Sequence, residues 1–180
     1  MNYANFITIA RLLSVPAAIW LVLDGDLTAA FWLFVAAGLS DAVDGYIAKN
    51  FDQRSELGAL LDPLADKVLL MSMFVTLGIT ERLPASLVIL VVFRDVLIIG
   101  GFLLAMALGA TIATKPLVIS KINTALQIVL VAAALAPSGL GLHDYGLIEV
   151  LAYAVAVTTV LSGAGYLVRW MRGPAGESAG

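Results

Sequence analysis

Residues Ser40–Lys67 read SDAVDGYIAKNFDQRSELGALLDPLADK and join two apolar stretches, Ala29–Val43 and Gly58–Ile79. Between them the apolar run gives out over Lys49–Glu56, and two aspartates stand on each side of that break: Asp41 and Asp44 before it, Asp62 and Asp66 after it. Spacings of three and four residues place side chains on one face of a helix. The segment therefore reads as helix, short polar connection, helix, with one acidic face on each. A connection this short makes the two helices antiparallel neighbours, and four carboxylates are expected to converge at one depth.

Four more apolar stretches lie outside this segment: Phe6–Leu23, Ala85–Leu108, Ile119–Ala136 and Gly146–Trp170. The breaks between them carry Asp24-Gly25-Asp26, Glu81-Arg82-Leu83-Pro84, Gly109–Pro116 and Pro137–Asp144. Hydrophobic residues are 61% of the 180 and charged residues 13%, against about half and about a quarter in a soluble domain. A chain of this size has too much surface for its volume to hide that excess from water. The excess has to face lipid, and each stretch is near the roughly 20 residues that a spanning helix needs. Without an alternating strand pattern, helices alone satisfy the backbone inside a bilayer. The expectation is an all-α integral membrane protein of six transmembrane helices. They form one domain over residues 1–172, with a Gly/Ala/Ser-rich disordered tail at 173–180.

Phe6–Leu23 is long for a signal-peptide core and has no basic leader, so it reads as the first helix. With the N-terminus inside, Arg11, Lys49, Arg54, Lys67, Lys115, Lys121, Arg169 and Arg172 fall on the cytoplasmic side, Arg82 falls outside, and Arg94 lies within the fourth span. The positive-inside rule then gives both termini, and the acidic segment, to the cytoplasmic face. No transit peptide precedes Met1, from which a bacterial inner membrane is expected.

Several chemistries drop out on composition. There is no cysteine, hence no disulfide framework and no thiolate nucleophile or ligand. His143 is the single histidine and sits in a Gly/Asp loop, which removes histidine triads and the two-histidine phosphodiesterase site. A formal charge of −3 argues against a nucleic-acid partner. Nor is an internal repeat visible, which weakens an inverted-repeat transporter.

Four uncompensated carboxylates at one depth would repel one another and lose hydration. Lys49 and Lys67 could neutralise two of them. Divalent cations account for all four, because hard oxygen ligands suit Mg²⁺, Mn²⁺ or Ca²⁺. Two such ions held by carboxylates suit phosphoryl chemistry. Gly45, Ala48 and Gly58 have little or no side chain, which allows a bulky ligand to approach the backbone, and Pro63 removes one helical donor. The plainer reading is a set of helix-end carboxylates with small residues for close packing. It suits one or two aspartates better than four.

The skeleton Asp41-x-x-Asp44-Gly45-x-x-Ala48-Lys49, eight residues, then Gly58-x-x-x-Asp62-x-x-x-Asp66 resembles the signature of the CDP-alcohol phosphatidyltransferases. It departs at Lys49, where that family usually carries Arg; charge is kept and the bidentate fork is lost. The resemblance implies six transmembrane helices, often in a homodimer, and two divalent cations (Mg²⁺ or Mn²⁺). Asp41, Asp44 and Asp62 would hold the first, and Asp41, Asp62 and Asp66 the second. Asp66 would also be the general base. Asp44, Gly45, Ala48, Lys49 and Gly58 would line the cytidine diphosphate pocket.

Within the family, Asn5-Phe6-Ile7-Thr8-Ile9-Ala10-Arg11 and Leu61–Lys67 resemble both the phosphatidylglycerophosphate synthase and the cardiolipin synthase branches, whereas Arg94-Asp95-Val96 and Lys115–Gln127 look like the cardiolipin synthase version. That likeness implies CDP-diacylglycerol as donor and phosphatidylglycerol as acceptor. Asn123 stands where the phosphatidylglycerophosphate synthase branch is expected to have a second Lys, one fewer cation for an acceptor that carries a monoanionic diester. The resemblance makes Asn5, Arg11, Arg94, Lys115, Lys121 and Asn123 candidates at the lipid phosphates. Arg94 is weighed against an internal pair with Asp95, which the roughly 100° between adjacent helical residues disfavours. Gln127 and Asn123 could instead join helices by hydrogen bonds. A small cation transporter is the rival from another class, and it needs acids spread along the depth rather than gathered at one end.

Overall fold

The computed structural model describes the backbone at residues 3–51, 56–107, 118–136 and 146–172. Side chains are described over 10–40, 67–101, 118–136 and 146–168 and at Leu104. Six helices occupy the described residues: α1 (Tyr3–Asp24), α2 (Leu27–Phe51), α3 (Glu56–Ile79), α4 (Ala85–Ala107), α5 (Val118–Leu135) and α6 (Leu147–Arg172). Each expected apolar stretch coincides with one of them to within a residue or two, or lies inside it. The second is longer than its apolar run: α2 continues past Val43 to Phe51 and carries Asp41, Asp44 and Lys49 within it. Apolarity marks what a helix faces, whereas the i→i−4 hydrogen bonds continue through polar residues that are adequate helix formers.

Local chemistry sets the ends. Gly25 turns the chain at φ +86, a conformation that costs glycine nothing. Asp26 then caps α2, its Oδ1 accepting from the Ala29 amide at 3.0 Å. At the end of α3 the amide of Glu81 donates to the Gly78 carbonyl at 3.1 Å and that of Arg82 to the Leu77 carbonyl at 2.9 Å. This paired closure is a Schellman cap, and it puts Glu81 at φ +59 in the left-handed position usually held by glycine. Pro84 follows and directly precedes α4, a position where its missing N–H costs nothing.

The chain divides into two compact units, residues 1–84 with 131–145 and residues 85–130 with 146–180. In the first, α1 packs against both α2 and α3. Its inward stripe is Arg11, Val15, Ala18 and Val22, met by Ala30 and Phe34 of α2 and by Leu69, Leu70, Met73, Phe74 and Leu77 of α3. Alanine at 18 and 30, both fully buried, suits close helix approach. In the second unit α4 packs against α6. The buried positions there are Leu87, Val91, Arg94 and Asp95 on α4, Asn123, Gln127 and Leu130 on α5, and Val155, Thr159 and Ser162 on α6.

These faces are inverted relative to a soluble protein. Outward positions are large and apolar, among them Leu13, Trp20 (64% exposed), Trp32, Ile89, Phe93, Val150, Tyr153 and Leu167, while much of the described polar inventory lies inside. Apolar surface on this scale fits lipid as the solvent. Among the described residues, Val118–Leu135 and Leu147–Val168 are long and apolar enough to cross a membrane. His143 and the tail at 173–180 lie outside the described residues.

Replacing Glu81 by glycine removes the steric cost of the left-handed position, of the order of 1 kcal/mol. The Glu81→Gly protein is expected to unfold about 2 °C higher than the parent in detergent, and Glu81→Val lower. A thermal scan of the purified proteins checks both signs.

Candidate functional site

The acidic segment is built on α2 and α3, the two helices that share α1 as packing partner. In α2, Asp41 and Asp44 are followed directly by Gly45, with Ala48 and Lys49 one turn further on. In α3, Gly58 lies in the first turn and Asp62 and Asp66 follow at intervals of four. At about 1.5 Å of rise per residue, Asp44 lies about 10 Å before the end of α2 at Phe51 and Asp62 about 9 Å after the start of α3 at Glu56. Asp41 and Asp66 each lie about 15 Å from the same two ends. Measured along each helix from the end nearest the connection, Asp44 thus corresponds to Asp62 and Asp41 to Asp66. The side chains of Asp41, Asp44, Gly45, Ala48, Lys49, Gly58, Asp62 and Asp66 lie outside the described ones. As a donor set, four aspartates present hard oxygens, which suits Mg²⁺ or Mn²⁺ and disfavours soft metals. The α3 helix continues through Pro63, which has no N–H to give to the Ala59 carbonyl.

A second polar centre lies wholly within the second unit. Arg94 of α4 is 3% exposed and Asp95 1%. Arg94 Nη1 donates to Asp95 Oδ1 at 2.6 Å, while Nη2 donates to Ser120 Oγ of α5 at 2.5 Å and to Ser162 Oγ of α6. The adjacent-residue pair that helix geometry disfavours therefore does form. The Arg94 side chain is long enough to bring Nη1 back onto the neighbouring carboxylate, and burial rewards doing so. One guanidinium ties three helices together. Gly163 leaves room beside it, since a Cβ there would sit 3.8 Å from Arg94 Cγ.

One turn along α5, Asn123 Oδ1 accepts from the hydroxyls of Thr158 at 2.8 Å and Thr159 at 2.9 Å. Of the other residues expected at lipid phosphates, Arg11 is buried in α1 and Lys121 is exposed on α5. The side chain of Asn5 and all of Lys115 lie outside what is described. The structure thus brings Arg94 to Ser120 and Asn123 to Thr158 and Thr159, and leaves Lys121 facing away from these contacts. Ser120, Ser162, Thr158 and Thr159 were not among the expected site residues. Their signal in the sequence is polar residues recurring at helical spacing, 120, 123 and 127 in one helix and 158, 159 and 162 in the other, inside otherwise apolar runs.

Arg94→Met removes the cation from a buried carboxylate and is expected to cost about 3 kcal/mol. Adding Asp95→Leu removes the other charge and should recover most of that loss. Thermal unfolding of the single and double variants in detergent measures the recovery. Activity of the folded double variant then separates a helix clamp, which it would retain, from a phosphate contact, which it would lose.

The family model of the CDP-alcohol phosphatidyltransferases matches residues 1–162. A rat protein named cardiolipin synthase (CMP-forming) is 36% identical over 92% of this chain and 62% of its own length. A human protein of the same name is 35% identical over 90% of this chain and 59% of its own. A chloroplastic CDP-diacylglycerol–glycerol-3-phosphate 3-phosphatidyltransferase 1 of Oryza sativa subsp. japonica is also 35% identical, over 94% of this chain and 57% of its own. The chain spans about three fifths of the length of these relatives. A match over nearly the whole sequence, with the aspartate signature carried on α2 and α3, places this chain in the CDP-alcohol phosphatidyltransferase family.

Proposed function

We propose that the protein is a membrane-embedded phosphotransferase that joins CDP-diacylglycerol to phosphatidylglycerol, releasing CMP and forming cardiolipin. The observation that carries the reaction class is the signature Asp41-x-x-Asp44-Gly45-x-x-Ala48 and Gly58-x-x-x-Asp62-x-x-x-Asp66, carried on α2 and α3 at matching distances from the connection between them. Support for the lipid acceptor comes from the rat and human relatives and from the neutral, buried Asn123. A neutral amide at this position supplies no cation for the second negative charge that glycerol-3-phosphate carries. The rice relative favours the second reading, a phosphatidylglycerophosphate synthase.

On this reading Asp41, Asp44 and Asp62 hold one divalent cation and Asp41, Asp62 and Asp66 the other. When bound, such ions offset the charge that gathers on the phosphate oxygens. Gly45, Ala48 and Gly58 let the cytidine diphosphate lie against the helix backbones, and Lys49 places a single ammonium at it. Asp66 takes the proton of the acceptor hydroxyl as its oxygen bonds to the β-phosphorus. The bond from that phosphorus to the bridging oxygen breaks, and the electron pair leaves with CMP. Asn5, Arg11, Lys115 and Lys121 are proposed at the lipid phosphates. Arg94, already engaged with Asp95, Ser120 and Ser162, serves by holding its helices together.

We infer further that all six helices span the bilayer as one domain over residues 1–172, with both termini and the aspartates on the cytoplasmic side. The cation distribution supports that orientation. The protein works as a homodimer, as the family resemblance implies. The relatives include animal and plant proteins, so likeness to them does not point to a bacterial inner membrane.

Asp66→Asn is expected to lower turnover at least 10³-fold, at the level of general-base loss, while CDP-diacylglycerol binding is retained; near-normal turnover would remove Asp66 from the base role. Purified protein given CDP-diacylglycerol and either acceptor should consume phosphatidylglycerol in preference to glycerol-3-phosphate. The opposite preference would establish the phosphatidylglycerophosphate reading.

A further inference from the structure

Beyond the Arg94 clamp, α5 carries two amides with no exposure at all, Asn123 and Gln127, both 0%. Neither Nε2 nor Oε1 of Gln127 has a hydrogen-bond partner among the described residues, and Asn123 Nδ2 has none either. Turning the Asn123 amide over does not resolve this. The threonine hydroxyls on one side of it can accept as well as donate, since Thr158 also donates to the Ala154 carbonyl at 2.8 Å. Either orientation leaves one end of Asn123 unmatched. Buried polar groups in native proteins are paired, so three such atoms on adjacent turns of one helix face point to a ligand.

The chemistry of the three atoms restricts it. An anion would need a cation, and Arg94 is already neutralised by Asp95 and bonded to Ser120 and Ser162, while Lys121 is exposed. A metal ion would need an anionic donor, and amides supply none. The Asn123 amide offers donors and Gln127 offers both a donor and an acceptor. At four residues' separation their Cβ atoms are about 5–6 Å apart, so one oxygen can reach both at ordinary hydrogen-bond lengths. We infer that Asn123 and Gln127 form a buried binding site for an uncharged hydroxyl group, which accepts from one amide and donates to the other. Water is one source of that hydroxyl. The alcohol of a lipid polyol headgroup is the other.

The test is X-ray hydroxyl-radical footprinting of the purified full chain in detergent, read by mass spectrometry at Leu130. This residue is 0% exposed and lies one turn beyond Gln127. Bound water produces radicals in place, so Leu130 should be oxidised despite its burial. Gln127→Met should reduce that oxidation several-fold and lower the thermal midpoint, because the ligand loses a partner and Asn123 is left unmatched. Added phosphatidylglycerol separates the sources. Protection of Leu130 assigns the site to the headgroup hydroxyl, and unchanged oxidation assigns it to water. Only the lipid arm rests on the acceptor proposed above, and the acceptor assay tests that reading separately. Unoxidised Leu130 in the parent protein, or a higher midpoint in Gln127→Met, would overturn the inference. The parent measurement decides even where the variant does not fold.

Discussion

Where apolar side chains cover the outside of a helix, every polar group within must find its partners in the chain or in a bound ligand, because the surroundings offer none. Much of the second unit follows from that constraint. Arg94 would be prohibitive among Leu87, Val91 and Val155 if it stood alone. It is tolerated because Asp95 balances its charge and serines from two further helices accept from Nη2. The same pressure leads Thr158 and Thr159 to Asn123. A buried ion pair of this kind contributes little net stability against an apolar replacement of equal volume. Its effect is geometric, since it fixes which faces of α4, α5 and α6 meet.

The first unit handles its polar residues differently. Its described interior is packed almost wholly by apolar side chains around α1, with alanines at 18 and 30 permitting close approach. The aspartates lie toward the ends of α2 and α3 that flank the polar connection. A stiff apolar pair of helices braced on a common third helix is a suitable support for charged ligands, because their mutual repulsion does not act on the part of the helices that is packed. On the proposed reading, binding of divalent cations relieves that repulsion. Without the four aspartates the formal balance of −3 becomes +1, so the mild acidity of the chain belongs to one proposed site rather than to its surface.

Much of the fold was legible because the relevant signals are local. Runs of apolar residues mark the helices, and Asp24-Gly25-Asp26 and Glu81–Pro84 mark turns whose caps the structure contains. The end of α2 was less legible. Apolar periodicity reports the environment of a helix and stops where the environment changes, though the hydrogen-bonded backbone goes on to Phe51. Connection length predicts that α2 and α3 neighbour each other, and it does not reveal what the fold adds, the use of α1 as a partner by both helices. The role of Arg94 was not legible either. Residue spacing considers where Cα–Cβ bonds point, and a long flexible side chain can return to its neighbour when burial makes that worthwhile.

The set of helices, the excess of apolar residues and the spacing of Asp41, Asp44, Asp62 and Asp66 are written in the chain before it folds. These depend on composition and on the 3.6-residue period, and both are properties of a chain without its fold. Tertiary structure alone decided that Ser120 and Ser162 meet Arg94, that Thr159 meets Asn123, and that Gln127 is enclosed with its amide unmatched. Those contacts join residues tens of positions apart. A polar side chain in an apolar run carries no mark of its partner until packing brings the two faces together.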